Sequence, residues 1–488
     1  MELRSSFMRI HNRLQHDWCH MFSKRFRSSR RSKILGEPAG VSPRTVRGLT
    51  PIGSPVRWRV LGLILAVVSF DHALVAEDFG YQKEVTVREP TRLDWVFANA
   101  NQSVTNPPAE WLEGYDSTKQ RYELFVPAAA KAAAPKTNVK LKGKNAEPAN
   151  VGLPLVLFIS AGDQPAGWSQ LQTVCQQKGI AFASPYNAGN NTPMPRRIRL
   201  LFDVLDDLRR RHRIDADRTY IAGFSGGGRV ACGIAFSLPE LFGGVIPVCA
   251  SGDLREEPWL RHRVIDRLSI AMITGTGDFN RGEVERFRGP MLADMGVRTK
   301  VTTVEKLGHG IPDAKTFADV IDWLDAGAAD RRKLAAKHPA SRIGPDATPT
   351  REEWAKSLLA EGQSRLKDSK TLYSGLMQLQ GTMQRWPDLK AADDAKRILL
   401  DYEARPEKPW EEDDIDEQRR FLIARVRALD AYASGELPPQ YANQRKDMLE
   451  AAINLWLLVV QDGQDDKAVD DGQRRLPKLK ALLMSEEK

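Results

Sequence analysis

The sequence predicts two parts: an α/β layer built on a mostly parallel sheet with helices on both faces, then an all-α C-terminal segment. Three observations carry this. Between residues 118 and 330, short apolar runs alternate with amphipathic helical stretches, and strands that are apolar throughout are those buried on both faces of a parallel sheet. From 345 to 488 no strand pattern remains, and apolar residues recur at spacings of three and four, as at Leu422, Val426 and Leu429. The 488 residues also exceed one ordinary domain of about 150.

The chain opens on a basic leader. Residues 1–59 hold thirteen Lys/Arg against Glu2, Asp17 and Glu37, a net of +10, one more than the whole chain's +9. The remainder is therefore almost neutral, which removes the general electrostatic reason to expect nucleic-acid binding. Arg57 and Arg59 precede an apolar run at 60–70 (VLGLILAVVSF), and Ala73-Leu74-Val75-Ala76 follows it. Charged flank, short apolar run and small residues make a signal-peptide layout with cleavage after Ala76, so residues 1–76 read as leader and the mature protein as periplasmic or secreted. The part before Arg57 is long for such a signal, and a true start near residue 56 would account for it. The apolar run is shorter than the roughly 20 residues of a membrane span, so no stable span is expected.

Residues 77–330 form the α/β part. Its first stretch, 77–120, has little periodicity, and the first clear strand is 121–127 (RYELFVP). An Ala/Lys/Pro-rich loop follows, and then strands at 153–160, 180–185, 218–224, 244–250, 268–274 and 299–305. Between them lie helical patterns such as 195–212, with Ile198, Leu201, Val204, Leu205 and Leu208 on one face. Residues 331–344 read as a linker. The C-terminal part, 345–488, shows six helical stretches near 352–366, 371–385, 389–404, 413–433, 440–460 and 466–484, punctuated by prolines. Arg385-Trp386-Pro387-Asp388 loosely resembles the turn of a tetratricopeptide-like pair, but no period holds, and an accessory helical domain open to a protein partner is the expectation.

Cys175, Cys232 and Cys249 lie beyond the leader. An odd number allows one disulfide, with Cys232 and Cys249 the better pair, or three buried thiols. None has metal-ligand spacing, and no P-loop or dinucleotide fingerprint occurs, so no cofactor or metal is expected.

Gly223-Phe224-Ser225-Gly226-Gly227 matches G-x-S-x-G at the end of an apolar strand and the start of a helical run. That is the setting of a nucleophile elbow, where small neighbours allow a serine to sit on a strained turn and the next residue's N–H can meet an oxyanion. A serine hydroxyl needs a base, and the base needs an orienting carboxylate, in the chain order Ser, acid, His. After Ser225 only His262, His309 and His338 occur. His309 follows the last strand in a Gly-His-Gly loop, whereas His262 falls in a charged helix and His338 in a Lys/Ala-rich stretch. Asp278 follows the strand at 268–274, with Asp253 after the preceding strand as its rival and Asp313 read as a helix cap.

With the loop Ala161-Gly162-Asp163 through Gly167-Trp168, these residues resemble the α/β-hydrolase superfamily, especially phospholipase/carboxylesterase-type and polyhydroxybutyrate-depolymerase or feruloyl-esterase-type serine esterases. The resemblance covers about 118–327. It implies a serine esterase with triad Ser225, Asp278 and His309, and an oxyanion hole from Gly226 and Ala161, or Gly162 in its place. Those families carry His-Gly before the oxyanion loop, and here Ile159-Ser160 stands there. The expected partner is a small-molecule or polymeric ester in an open site. A serine peptidase of the same fold and a non-catalytic scaffold remain the alternatives.

Overall fold

A computed structural model describes residues 79–100, 106–128, 152–345 and 347–486. The expected export signal at 60–70 and cleavage point after Ala76 lie outside these residues, as does most of the Ala/Lys/Pro-rich loop. One sheet contains β1 (Gly80–Thr86), β2 (Arg121–Val126), β3 (Leu153–Ile159), β4 (Ala181–Pro185), β5 (Ile214–Phe224), β6 (Gly244–Val248), β7 (Ser269–Gly275) and β8 (Arg298–Val304). The strand order is β1-β2-β4-β3-β5-β6-β7-β8. Every neighbouring pair is parallel except the two made by β2, which runs against both β1 and β4.

Each run expected as a strand is one, and the structure adds two features. β1 lies in the stretch expected to lack periodicity. It is an edge strand, and a bulge between Gln82 and Val85 shifts its register, so its inward and outward residues do not alternate cleanly. β5 begins at Ile214, four residues before the apolar run, because Asp215 and Asp217 are buried there. Arg267 and Arg342 pair with Asp217, and Arg332 and Arg342 with Asp215.

The strands' alternation sorts two cores. Val156, Phe158, Tyr220 and Ile246 meet α2 (Trp168–Lys178) and α7 (Ala314–Ala326), whose Leu171, Val174, Phe317, Ile321 and Leu324 close that face. Leu155, Leu157, Ile159, Ile270 and Met272 face the other way. There they meet α3 (Met194–Arg211), α4 (Gly226–Ser237) and α5 (Pro258–Arg267), in a core that also takes in the short α1 (Trp95–Ala100). Each fully buried Leu, Ile or Phe contributes about 1.5–3 kcal/mol. A π-helical turn (Glu283–Arg288) leads into α6 (Gly289–Asp294) before β8.

Residues 331–344, expected as a linker, are helical up to the end of α8 (Ala328–Lys337), with Arg331 and His338 buried. The C-terminal helices are α9 (Arg351–Arg365), α10 (Leu372–Arg385), α11 (Lys390–Glu403), α12 (Trp410–Ala433), α13 (Arg445–Asp462) and α14 (Asp466–Glu486), with no strand among the described residues. A capping box, Thr350 with Glu353, starts α9. These helices extend the second core, since Trp354, Leu358, Trp386, Phe421 and Leu429 belong to the same buried cluster as Leu155 and Met272. Arg385 is fully buried between Phe97, Trp354 and Trp386, with Asp94 as its ion partner at 3.3 Å. Arg261 of α5 makes a bidentate pair with Glu417 of α12, both bonds 2.8 Å.

Candidate active site

Ser225 stands between β5 and α4 with φ 53 and ψ −120, a strained conformation for a residue with a side chain. The glycines around it show what makes the turn possible. A Cβ on Gly223 would come within 2.5 Å of Gly227 carbonyl carbon, and one on Gly227 within 2.2 Å of Ile159 carbonyl oxygen. The Ser225 N–H donates to Val248 carbonyl oxygen at 2.8 Å, which ties the elbow to the end of β6.

The three residues expected to form a triad come together. His309 Nε2 lies 2.9 Å from Ser225 Oγ, and His309 Nδ1 lies 2.8 Å from Asp278 Oδ1. Asp278 is buried, and it accepts from Thr274 Oγ1 at 2.7 Å and from Asn280 N–H at 3.0 Å. These two bonds fix its carboxylate plane toward the histidine. The acid turn and the histidine loop are laced together: Gly277 N–H donates to Leu307 carbonyl oxygen at 2.9 Å, and Lys306 N–H to Thr276 Oγ1 at 2.8 Å. Only glycine fits at 275, where a Cβ would lie 2.0 Å from Leu307 carbonyl oxygen. Phe279 stacks on the His309 ring at 4.0 Å and stays 49% exposed, so the imidazole has one aromatic wall open to solvent.

The rivals lie elsewhere. Asp253 pairs with Arg288, His262 with Asp266 at 3.2 Å, and Asp313 caps α7 through Thr316 N–H. His338 is buried beside the C-terminal helices, and burial pushes its pKa from 6.5 down to about 4. The three cysteines are buried thiols, which decides against a Cys232–Cys249 bridge.

Gly226 begins α4, and the loop after β3 places Ala161 and Gly162 nearby, linked to the next loop by Asn190 N–H donating to Ala161 carbonyl oxygen at 2.9 Å. Gly162 N–H is committed to Ser160 Oγ at 3.0 Å. Sequence reasoning missed Asn190. Its exposed amide lies against Gly226, where a Cβ would fall 2.0 Å from Asn190 Oδ1. No pattern in the loop at 186–193 signals this contact. Sequence reasoning also missed Glu283, which binds Arg229 of α4 and accepts from Ser251 Oγ at 2.7 Å. Burial pushes the Glu283 carboxyl up, but Arg229, Ser251 and Arg288 outweigh it and hold it below the usual range.

Among the described residues, Cys249, Asp278 and His309 offer potential metal-ligand atoms within 4.8 Å of one another. Asp278 and His309 already bond to each other, and the thiol is held protonated.

A single reversed strand at one side of a parallel sheet, with a serine elbow after β5, an acid after β7 and a histidine after β8, defines the architecture. This is the α/β-hydrolase fold. No protein-family model matches the sequence, and no curated protein matches it. Among solved structures the chain is similar to a thermostable esterase at 20% identity and TM-score 0.31, over 44% of this chain and 61% of that one. It therefore spans about three-fifths of that esterase's length. It is also similar to S-formylglutathione hydrolase from Staphylococcus aureus, at 13% and 0.31 over 43% of this chain and 93% of that one. A ferulic acid esterase is similar at 13% and 0.30, over 44% and 93%. The α/β-hydrolase assignment rests on strand order and elbow.

Proposed function

We propose that the protein is an exported serine hydrolase that cleaves carboxylic esters through an acyl-enzyme. The observation that carries this reading is the continuous hydrogen-bond chain from Ser225 Oγ through His309 to buried Asp278, at 2.9 and 2.8 Å. In this reading Ser225 Oγ bonds to the ester carbonyl carbon while its proton passes to His309 Nε2. The developing oxyanion meets the N–H groups of Gly226 and Ala161; Gly162 serves less well, since its N–H already holds Ser160. Collapse breaks the bond to the alcohol, which leaves with the proton from His309. Water, deprotonated by His309, then attacks the acyl carbon, releasing the acid and restoring Ser225. Asp278 keeps Nδ1 protonated and stabilises the imidazolium that forms.

The test is fluorophosphonate labelling followed by a panel of p-nitrophenyl esters and peptide amides. Labelling confined to Ser225 with turnover of esters supports the reading. Turnover of amides alone would move the protein to the peptidase class, and no labelling and no turnover would leave a scaffold. Export is tested by sequencing the mature N-terminus, expected near Glu77; intact protein retaining residues 60–70 in the cytoplasm overturns it.

A further inference from the structure

We propose that Cys249 is a positioning residue for this site, its thiol holding the His309 loop against the acid turn; the proposal rests on the ester-hydrolase reading above. Cys249 directly follows β6, is fully buried, and has φ 51, a backbone conformation that costs a side-chain-bearing residue energy. It sits where the three segments of the site meet. The carbonyl just before it, on Val248, accepts from Ser225 N–H at 2.8 Å. Its own carbonyl accepts from Asn280 Nδ2 at 2.9 Å, and Asn280 in turn gives its N–H to Asp278. Its N–H donates to Ile273 carbonyl oxygen at 2.7 Å, near the end of β7.

The side chain completes the arrangement. Cys249 Sγ faces Gly310 carbonyl oxygen at 3.3 Å and Gly308 carbonyl oxygen at 3.8 Å, one on each side of His309. Gly277 N–H to Leu307 carbonyl oxygen and Lys306 N–H to Thr276 Oγ1 hold the loop just before the histidine, and the thiol meets the two glycines that flank it. A Cβ on Gly308 would meet nothing within 4 Å, and one on Gly310 only a Leu307 methyl at 3.7 Å, so space stands open beside both flanking residues, whose glycine backbones are intrinsically permissive. The thiol must donate to do this, because the atoms it faces are oxygens. Burial, and then the Asp278 charge, push its pKa up to about 12, so the proton stays in place at any working pH. Fixing the loop fixes the imidazole between Ser225 and Asp278, and small misplacements of a base are expensive in rate.

Cys249→Ala, Cys249→Gly and Cys249→Ser test this. The glycine variant loses the thiol while relieving the positive φ, so it should fold even if the alanine variant does not. Removing the thiol should lower kcat by about ten- to a hundredfold with KM almost unchanged. The low-field NMR signal of the proton between His309 and Asp278 should broaden, and the acid limb of the kcat/KM profile should move. Serine, which keeps a donor, should restore most of kcat and sharpen that signal. The proposal is overturned if the glycine or alanine variant keeps wild-type kcat and the sharp signal. It is equally overturned if serine falls as far as glycine, since the thiol would then act by packing alone. Wild-type protein that neither labels with fluorophosphonate nor turns over esters overturns the functional reading, and this proposal with it. Normal wild-type labelling with normal variants overturns the Cys249 role only.

Discussion

At the C-terminal ends of β5, β7 and β8 three polar side chains form one hydrogen-bonded chain, with Ser225 and His309 partly open to solvent and Asp278 buried. Where α5 and α8 meet the C-terminal helices, the charged groups are many and buried: Arg263 with Glu240, Arg365 with Glu361 at 2.8 Å, Arg261 with Glu417, Arg385 with Asp94. The two regions spend their charges differently. Buried ion pairs recover a desolvation cost and add little net stability, but losing one partner strands the other in a dry interior. The junction therefore sets whether the chain folds, while the candidate site can lose a side chain and leave folding nearly untouched.

The largest effect should come from the site. Ser225→Ala or His309→Ala should lower kcat on a soluble ester by up to about a millionfold, and Asp278→Asn by about ten-thousandfold. The melting temperature of Ser225→Ala should stay at the wild-type value. A large drop in melting temperature with Ser225→Ala would erase the contrast between the two regions.

The junction should behave in the opposite way. Glu240→Ala leaves Arg263 unpaired and should cost about 3–5 kcal/mol in a denaturant titration, with kcat per folded molecule unchanged. A chain ending near Asp330 would strip the helices from the second core and should aggregate or unfold without cooperativity. A soluble, cooperatively folding product with full ester turnover would show the C-terminal helices to be an independent domain.

A smaller effect is pH-dependent. His338 is neutral in the fold down to about pH 4, because of burial first and then the Arg365 and Lys337 charges, with Asp266 opposing. Below its ordinary value of 6.5 the unfolded chain binds a proton that the folded chain does not. Stability should thus be complete above about pH 6.5 and fall progressively toward pH 4. His338→Asn should flatten that slope in thermal melts; an unchanged slope would place the dependence elsewhere.

The smallest effect should be at Phe279, which walls the His309 ring from the solvent side. Phe279→Ala should lower kcat/KM by about threefold to tenfold, the worth of one aromatic contact. A loss as large as that for Asp278 would mean that Phe279 does more than cover the ring.

The elements and the order of the site residues were legible because they are written locally. Strands β3, β4, β6 and β7 are mostly apolar runs, the six C-terminal helices carry apolar stripes between prolines, and Gly223 and Gly227 bracket Ser225 within five residues. Local pattern could not place what depends on distant partners. β1 alternates only on either side of its bulge, which breaks the period, and the first half of β5 hides its strand character behind aspartates whose arginines lie 50 to more than 100 residues away. Asp278 and Asp253 look alike in sequence; the chain's path puts one beside His309 and the other on Arg288. The same holds for Asn190 against Gly226 and for Arg385 in its aromatic cage beside Asp94. Spacing along the chain determines which face a residue takes, but which charge meets which is decided only when the helices close over the sheet.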